Sequence, residues 1–95
     1  MSVIVIAATP GLDAEGYERI VEEQGHRVDE LPEGCTAHFA GPAGGGWQVI
    51  AVWDSAERAA EFGRTVLAPA MQRTGITPGR PQVFPLQHAV TRPGA

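Results

Sequence analysis

Three apolar segments of this chain carry no charged side chain, and this feature most limits what the chain can fold into. Segments 3–8, 35–41 and 46–53 are predicted as β-strands, and none of them contains Asp, Glu, Lys or Arg. Because side chains along a strand alternate between the two faces of a sheet, neither face of such a sheet suits water. The helices of one small domain can cover a single face, so the other face is expected to pack against a second copy of the chain.

Two segments between these strands have the spacing of apolar residues that is typical of amphipathic helices. The first helix is predicted to begin after Asp13, whose side chain can cap it, and to end at Gly25. The second is predicted to begin at a capping box formed by Asp54 and Glu57. Pro69 lies inside this second helix, so a kink or a break is expected there.

A fourth strand is predicted over residues 82–88, and Pro85 indicates an edge position or a local irregularity because proline cannot donate to a strand ladder. The order of elements predicts an α+β, ferredoxin-like βαββαβ fold, in which a four-stranded antiparallel sheet carries two helices on one face. The length of 95 residues allows one domain. This domain is predicted over residues 1–90, followed by a flexible C-terminal tail over 91–95.

The charge balance argues against several classes of partner. The chain has a formal net charge of -4 and no basic stripe, so we expect no binding to nucleic acid or to an anionic membrane surface. The apolar run 3–8 is far shorter than the roughly 20 residues that a membrane-spanning helix needs. Cys35 is the single cysteine, so no disulfide framework can form within the chain, and a cytoplasmic location is expected.

His38 is the most informative candidate for chemistry, because it lies in the middle of a predicted strand where apolar residues are expected. A neutral imidazole can serve as a general base or can orient a substrate through a hydrogen bond near neutral pH. The alternative is a structural histidine that bonds to a neighbour or lies at a subunit interface, since a buried polar group needs some partner.

Aromatic and sulfur-containing side chains supply the walls of a predicted apolar pocket. Trp47 and Trp53 are six residues apart on one strand, so they share a face and could clamp a flat apolar ligand. Phe62 and Met71 on the second helix would form the opposite wall, and Tyr17 would present its hydroxyl at the mouth of the pocket. Ordinary packing is the alternative interpretation for each of these side chains.

The sequence predicts no metal site and no cofactor. Cys35 and His38 are three residues apart, a spacing that places two strand residues on opposite faces, and no carboxylate completes a ligand set. Cys35 has no neighbouring cation that would activate its thiol, so it is interpreted as buried packing. The glycine-rich loop 41–46 lacks the spacing of nucleotide-binding loops and is interpreted as a flexible hairpin tip.

Short motifs along nearly the whole chain carry a resemblance to a known superfamily. They are Leu31-Pro32-Glu33-Gly34, His38, Gly41-Pro42, Gly46-Trp47, Val49, Val52-Trp53-Asp54-Ser55, Phe62, Leu67-Ala68-Pro69 and Val83-Phe84-Pro85. On these motifs the chain is similar to small actinobacterial proteins of the dimeric α/β-barrel superfamily, which includes the antibiotic-biosynthesis monooxygenase-like proteins. The resemblance implies a homodimer. It does not fix a reaction, because the superfamily includes cofactor-free oxygenases, haem-degrading enzymes, cyclases, isomerases and proteins without an assigned activity.

Two functional hypotheses follow. The first is a small cofactor-independent enzyme of secondary metabolism that acts on an apolar, natural-product-like molecule, by monooxygenation or by cyclisation or isomerisation through proton transfer, with His38 as the base or orienting donor. The second is a non-catalytic small-molecule-binding or accessory dimer. The apolar residues Ala51 and Phe62 favour the second hypothesis, because they leave few groups in the pocket that can move protons.

Overall fold

A computed structural model describes residues 1–27, 29–77 and 79–93 of the chain. Its four strands are β1 (Val3–Pro10), β2 (Cys35–Ala43), β3 (Gly46–Trp53) and β4 (Gln82–Pro85). They form one antiparallel sheet in the order β2-β3-β1-β4. Helix α1 (Ala14–Glu23) joins β1 to β2, and a second helical segment joins β3 to β4. The predicted α+β, ferredoxin-like fold is confirmed.

The register of the central strands defines the two faces of the sheet. In β1 and β3, Val3 lies opposite Trp53 and Val5 lies opposite Ala51, so these four side chains share one face. We call it the inner face, because the second helical segment packs there through Phe62. The core on this face consists of Val3, Cys35, Ala51 and Trp53, with Val5, Ala59 and Phe62 packed against it.

A bulge in β2 changes which residues of that strand face the core. The pairing with β3 slips between Cys35 and Ala37, so Cys35 lies opposite Trp53 while His38 lies opposite Ala51. Because the extra residue reverses the alternation, Cys35 and His38 both belong to the inner face. The expectation that they lie on opposite faces is therefore wrong.

The opposite, outer face of the sheet is largely apolar, with Gln48 and Gln82 as its polar side chains on β3 and β4, and it carries no helix of the described residues. Its apolar side chains are Ile4 and Ile6 of β1, Phe39 of β2, Ile50 and Val52 of β3, and Phe84 of β4. Phe39 is 61% exposed and Phe84 is 46% exposed. An apolar surface of this kind is unusual on a monomer and typical of an association site.

The predicted N-terminal cap of the first helix is observed, whereas that of the second helix is formed by a different residue. The Asp13 carboxylate accepts a hydrogen bond of 2.8 Å from the Gly16 backbone N–H, as predicted for the start of α1. Helix α2 (Ala56–Phe62) is capped by Ser55, whose hydroxyl accepts from the Arg58 backbone N–H at 3.1 Å. The predicted cap by Asp54 is wrong; its carboxylate faces the Arg58 guanidinium at 3.7 Å.

Pro69 interrupts the second helical segment, as predicted. A π-helical turn over Gly63–Leu67 separates α2 from helix α3 (Ala68–Thr74), and the Ala68 N–H donates to the carbonyl five residues earlier. Pro69 has no N–H to donate, and its ring crowds the carbonyl four residues back, so the helix widens just before it. Gly75, with φ of 76°, ends α3.

The last strand is shorter than the predicted range 82–88, because it ends at Pro85. It pairs with β1 alone in the described sheet, so the predicted edge position is confirmed. Beyond it, the Leu86 N–H donates to the Ser2 carbonyl at 3.0 Å. Residues 94 and 95 of the predicted tail lie outside the described residues, so the division of the chain at residue 90 remains a prediction. Among the helices described, none has the length and apolar character needed to cross a membrane.

The β2–β3 hairpin contains two glycines that provide a matched test of the packing. A Cβ atom at Gly46 would overlap the Thr9 carbonyl oxygen and lie 2.8 Å from the Pro10 Cα, whereas a Cβ at Gly41 would meet no atom within 4 Å. We expect Gly46→Ala to lower the free energy of unfolding by about 1–3 kcal/mol, because backbone must move to relieve the overlap. Gly41→Ala should change it by less than about 0.5 kcal/mol.

Chemical denaturation of the native chain and both variants, at one protein concentration, measures these differences. Equal unfolding midpoints for the two variants would contradict the close approach of β3 to the end of β1.

Candidate functional site

Three of the predicted site residues meet on the inner face. The Tyr17 hydroxyl lies 3.3 Å from Nε2 of His38, within hydrogen-bonding distance. The Tyr17 ring stacks on Trp47, with centroids 5.3 Å apart and an interplanar angle of 30°. The Tyr17 and His38 rings are also stacked, with centroids 6.2 Å apart. Residues from α1, β2 and β3 thus form one cluster with a donor, an acceptor and two aromatic faces.

This cluster lines a cleft of about 280 Å³, which we call the aromatic cleft. Its lining residues are Ala14, Tyr17, Glu18, His38, Ala40 and Trp47. The positions on α1 follow helical spacing, since residues three and four apart share a face. His38 and Ala40 alternate along β2 to the same face of the sheet. The cleft therefore forms where the first turns of α1 lie over β2 and β3.

Burial sets the protonation states of the pair. The pKa of the His38 imidazole is lowered from its ordinary value by burial, which disfavours the charged form. Burial raises the pKa of the Tyr17 hydroxyl for the same reason. Both side chains are neutral near pH 7, so His38 can accept a proton and Tyr17 can offer a hydrogen bond.

The indole nitrogen of Trp47 is left without a partner. Within residues 1–27, 29–77 and 79–93, Trp47 Nε1 is the one buried side-chain polar atom for which no hydrogen bond is found. A buried donor in this state costs about 1–3 kcal/mol. The Trp47 ring lines the aromatic cleft, but its nitrogen is buried and is not exposed to the cleft.

The other predicted site residues lie elsewhere. Trp53 is 5% exposed and packs against Phe62, with ring centroids 5.1 Å apart. Met71, also 5% exposed, is buried on α3. Six residues of a strand span about 20 Å, so Trp47 and Trp53 share a face but cannot line one small pocket. The structure brings Tyr17, His38 and Trp47 together and keeps the other three apart from them; the roles predicted for all six remain predictions.

A second and larger cleft, of about 500 Å³, lies beside Phe62. It is lined by His26, Pro32, Glu33, Arg58, Glu61, Phe62, Thr65 and Val66. The Arg58 guanidinium lies 3.6 Å from Glu33, so charges of both signs occur in this cleft. It follows that the second cleft is much more polar than the predicted apolar pocket.

Several lining residues were not singled out in the sequence. Ala14 lies three residues before Tyr17 and four before Glu18, and this helical spacing is a signal in the sequence that they share a face. Thr65 and Val66 line the second cleft and belong to the π-helical turn. Pro69 is the feature of the sequence that indicates this turn.

The structure gives Cys35 a packing role. It is 7% exposed, its thiol donates to the Ala37 carbonyl at 3.3 Å, and burial raises its pKa. A protonated, buried thiol is a poor nucleophile. In the described parts of the chain, no three His, Cys, Asp or Glu side chains gather in a way that could hold a metal ion.

Comparison with known proteins yields structural similarities. No protein-family model and no curated protein sequence matches the chain. SnoaB, a cofactor-independent oxygenase from Streptomyces nogalater, superposes with a TM-score of 0.64 over 96% of this chain and 98% of its own, at 11% identity. The chain has the fold of the antibiotic-biosynthesis monooxygenase-like proteins.

Two further structures have this fold. MupZ from Pseudomonas fluorescens superposes with a TM-score of 0.58 over 99% of this chain and 97% of its own, at 10% identity. A Deinococcus radiodurans protein, named as a candidate antibiotic biosynthesis monooxygenase, superposes with a TM-score of 0.56 over 99% of this chain and 100% of its own, at 14% identity. The resemblance seen in the sequence is confirmed at the level of the fold, and identities this low carry no activity with them.

The His38 imidazole should make the free energy of unfolding depend on pH. The folded state holds its pKa below the ordinary value of 6.5 and therefore binds a proton less readily than the unfolded state. The stability linked to the neutral imidazole is complete above about pH 6.5 and is lost as the pH falls through the lowered pKa. Denaturant unfolding between about pH 5 and 8 should show this extra loss in the native chain but not in His38→Gln.

His88→Gln is the matched control, because His88 is exposed beyond β4. This variant should keep the pH dependence of the native chain. The burial of His38 would be contradicted if His38→Gln lost stability with falling pH to the same extent as the native chain.

Proposed function

We propose that the protein is a cofactor-independent enzyme that acts on an apolar, natural-product-like small molecule in the aromatic cleft. The observation that carries this proposal is the contact of 3.3 Å between Tyr17 and His38 in the wall of a cleft with a stacked tryptophan. A neutral imidazole held by a phenol, beside an aromatic surface, combines a proton acceptor with a platform for a flat ligand.

His38 is the proposed general base. When Nε2 carries the hydrogen and donates it to Tyr17, Nδ1 is free to take a proton from the substrate, and the Tyr17 hydroxyl is free to donate to a substrate oxygen. Returning the proton at another atom completes an isomerisation or a cyclisation. The half-buried position of His38 favours this role, because partial burial lowers the pKa of the imidazole and keeps it neutral near pH 7.

Oxygenation is the other reaction that this base supports. A deprotonated, electron-rich substrate can reduce dioxygen, so that one oxygen atom enters the substrate at a methylene carbon as a carbonyl and the other leaves as water. The substrate supplies all the electrons, and no cofactor is required. The similarity in fold to SnoaB, named as a cofactor-independent oxygenase, supports this choice.

A homodimer is the proposed assembly. The outer face places Ile4, Ile50 and Phe39 in one apolar surface without a charged side chain on β1, β2 or β3. A second copy of the same face is a self-complementary cover for it. Face-to-face packing would bury Phe39, which is 61% exposed in the single chain.

The proposed setting is secondary metabolism in the cytoplasm. The single cysteine, Cys35, is buried and free, which suits a reducing compartment. The fold shared with SnoaB and with a candidate antibiotic biosynthesis monooxygenase supports the metabolic setting.

A non-catalytic ligand-binding dimer is the second candidate, and the stacked rings of Tyr17 and Trp47 favour it. A flat ligand can pack against an aromatic wall of this kind without any chemistry. Ala14 and Ala40, which also line the cleft, add apolar surface and no group that moves protons. In this case the aromatic walls, rather than His38, would decide affinity.

Replacing His38 separates the two candidates. With the ligand identified by mass spectrometry of the protein purified from its source, we expect His38→Gln to lower turnover by about 100-fold or more, the usual scale for a lost general base. Turnover by the native chain should fall at acid pH with a midpoint below 6.5, because the protonated imidazole cannot accept a proton. His88→Gln should leave turnover unchanged.

Recovery of the ligand unchanged from both the native chain and His38→Gln, with equal affinity, would reject the enzyme and support the binding protein. Normal turnover by folded His38→Gln would remove His38 from the mechanism.

A substitution that introduces one charge into the outer face tests whether the protein forms the proposed dimer. We expect the native chain to sediment as a dimer at micromolar concentration and Phe39→Glu to sediment as a monomer, because the new carboxylate would be buried unpaired. Leu31→Glu is the control, since Leu31 is 49% exposed in the loop before β2, away from the sheet. A monomeric native chain, or a dimeric Phe39→Glu variant, would contradict this interface.

A further inference from the structure

The aromatic cleft has an uneven distribution of charge. Among its described lining residues, Glu18 carries the one formal charge, and no arginine lines the cleft. The other polar groups are the Tyr17 hydroxyl and the His38 imidazole, both neutral near pH 7. A bound anion would therefore face a carboxylate with no cation in the wall to offset it.

Helix α1 extends this negative character. It carries four glutamates against one arginine, and the chain contains no lysine. Glu15 lies 3.7 Å from Arg19 and Glu23 lies 2.7 Å from Arg73, so both of these glutamates have a partner. In the described residues no ion pair involves Glu18, so its charge is available to a ligand.

The aromatic walls of the cleft, like the Glu18 carboxylate, favour a positively charged ligand. The faces of Tyr17 and Trp47 carry the negative end of the ring quadrupole, which attracts organic cations. Stacked faces with a carboxylate at the rim form a typical arrangement for holding an ammonium group next to a flat apolar body. The cleft volume of about 280 Å³ suits a fragment of that size rather than an extended molecule.

We propose that the aromatic cleft selects an organic cation, a protonated amine attached to a flat aromatic or alicyclic body. The ammonium group lies against the Glu18 carboxylate and next to an aromatic face, and the apolar body packs along Tyr17 and Trp47. This inference rests on the proposed function, because it assigns a substrate class to the same cleft. It adds Glu18 as the residue that determines specificity.

Three probes with the same ring and different charge test the proposal. Tryptamine is the cation, 3-ethylindole is the neutral analogue, and indole-3-propionate is the anion. Titration of each into the full chain, followed through the NMR signals of Tyr17 and Trp47, measures the dissociation constants. We expect tryptamine to bind at least about fivefold more tightly than either analogue, the scale of one exposed ion pair with a cation–π contact.

Two glutamate variants on one helix make the comparison specific. Glu18→Gln should remove the preference for tryptamine, whereas Glu22→Gln, which removes the same charge one turn along α1 and outside the cleft, should keep it. Glu18→Lys should reverse the order and favour indole-3-propionate. Both positions are exposed, so the variants are expected to fold, and their amide spectra verify this.

The proposal is overturned if indole-3-propionate binds the native chain as tightly as tryptamine, if Glu18→Gln keeps the preference, or if no probe shifts the cleft signals. These outcomes are separate from the enzymatic proposal, because binding is measured without turnover. His38→Gln should retain the preference for tryptamine. A catalytic His38 with no charge preference in the cleft would reject the amine alone, and a charge preference without turnover would reject the enzyme alone.

Discussion

The pairing of β1 with β3 is the interaction on which the rest of the structure depends. Each strand contributes eight residues to this antiparallel ladder, and every residue of one strand has a partner in the other. Because the ladder has no bulge, it assigns each side chain to one face, and neither strand has a charge that would force a face toward water. The inner face receives the helices and the aromatic cleft, and the outer face stays apolar.

The elements and their order could be predicted because their signals are local. Apolar runs, helical periodicity, the Asp13 cap and the Pro69 break each act within a few residues. The bulge between Cys35 and Ala37 could not be predicted, because it depends on how β2 meets its neighbour. That single residue moves Cys35 into the core with Trp53. The choice of Ser55 over Asp54 as a cap is a competition between adjacent side chains, which sequence preferences alone do not decide.

The residue types of the aromatic cluster could be selected from the sequence, whereas the contacts between them could not. Tyr17, His38 and Trp47 stand out because each residue type has a hydrogen-bonding or stacking capacity in an apolar setting. Their meeting depends on where the first turns of α1 rest on the sheet, a tertiary contact with no sequence signal of its own. The alternation of side chains along β3 predicts that Trp53 lies on the same face as Trp47. This alternation determines the face on which a side chain lies but not which pocket it lines. Trp53 lies at the far end of the strand from Trp47 and packs in the core against Phe62.

The lack of charged side chains on the central strands affects both the outer face and the aromatic cleft. Because the central strands carry no charge, the acidic side chains near the sheet come from the helices and loops, and α1 carries four of them. A glutamate that borders a cleft floored by uncharged strands has no basic residue of those strands to neutralise it. In the described residues Glu18 takes part in no ion pair, so its negative charge is screened mainly by solvent and remains available at the border of the cleft. The absence of charge that leaves the outer face suited to a second copy thus also gives Glu18 its influence in the aromatic cleft.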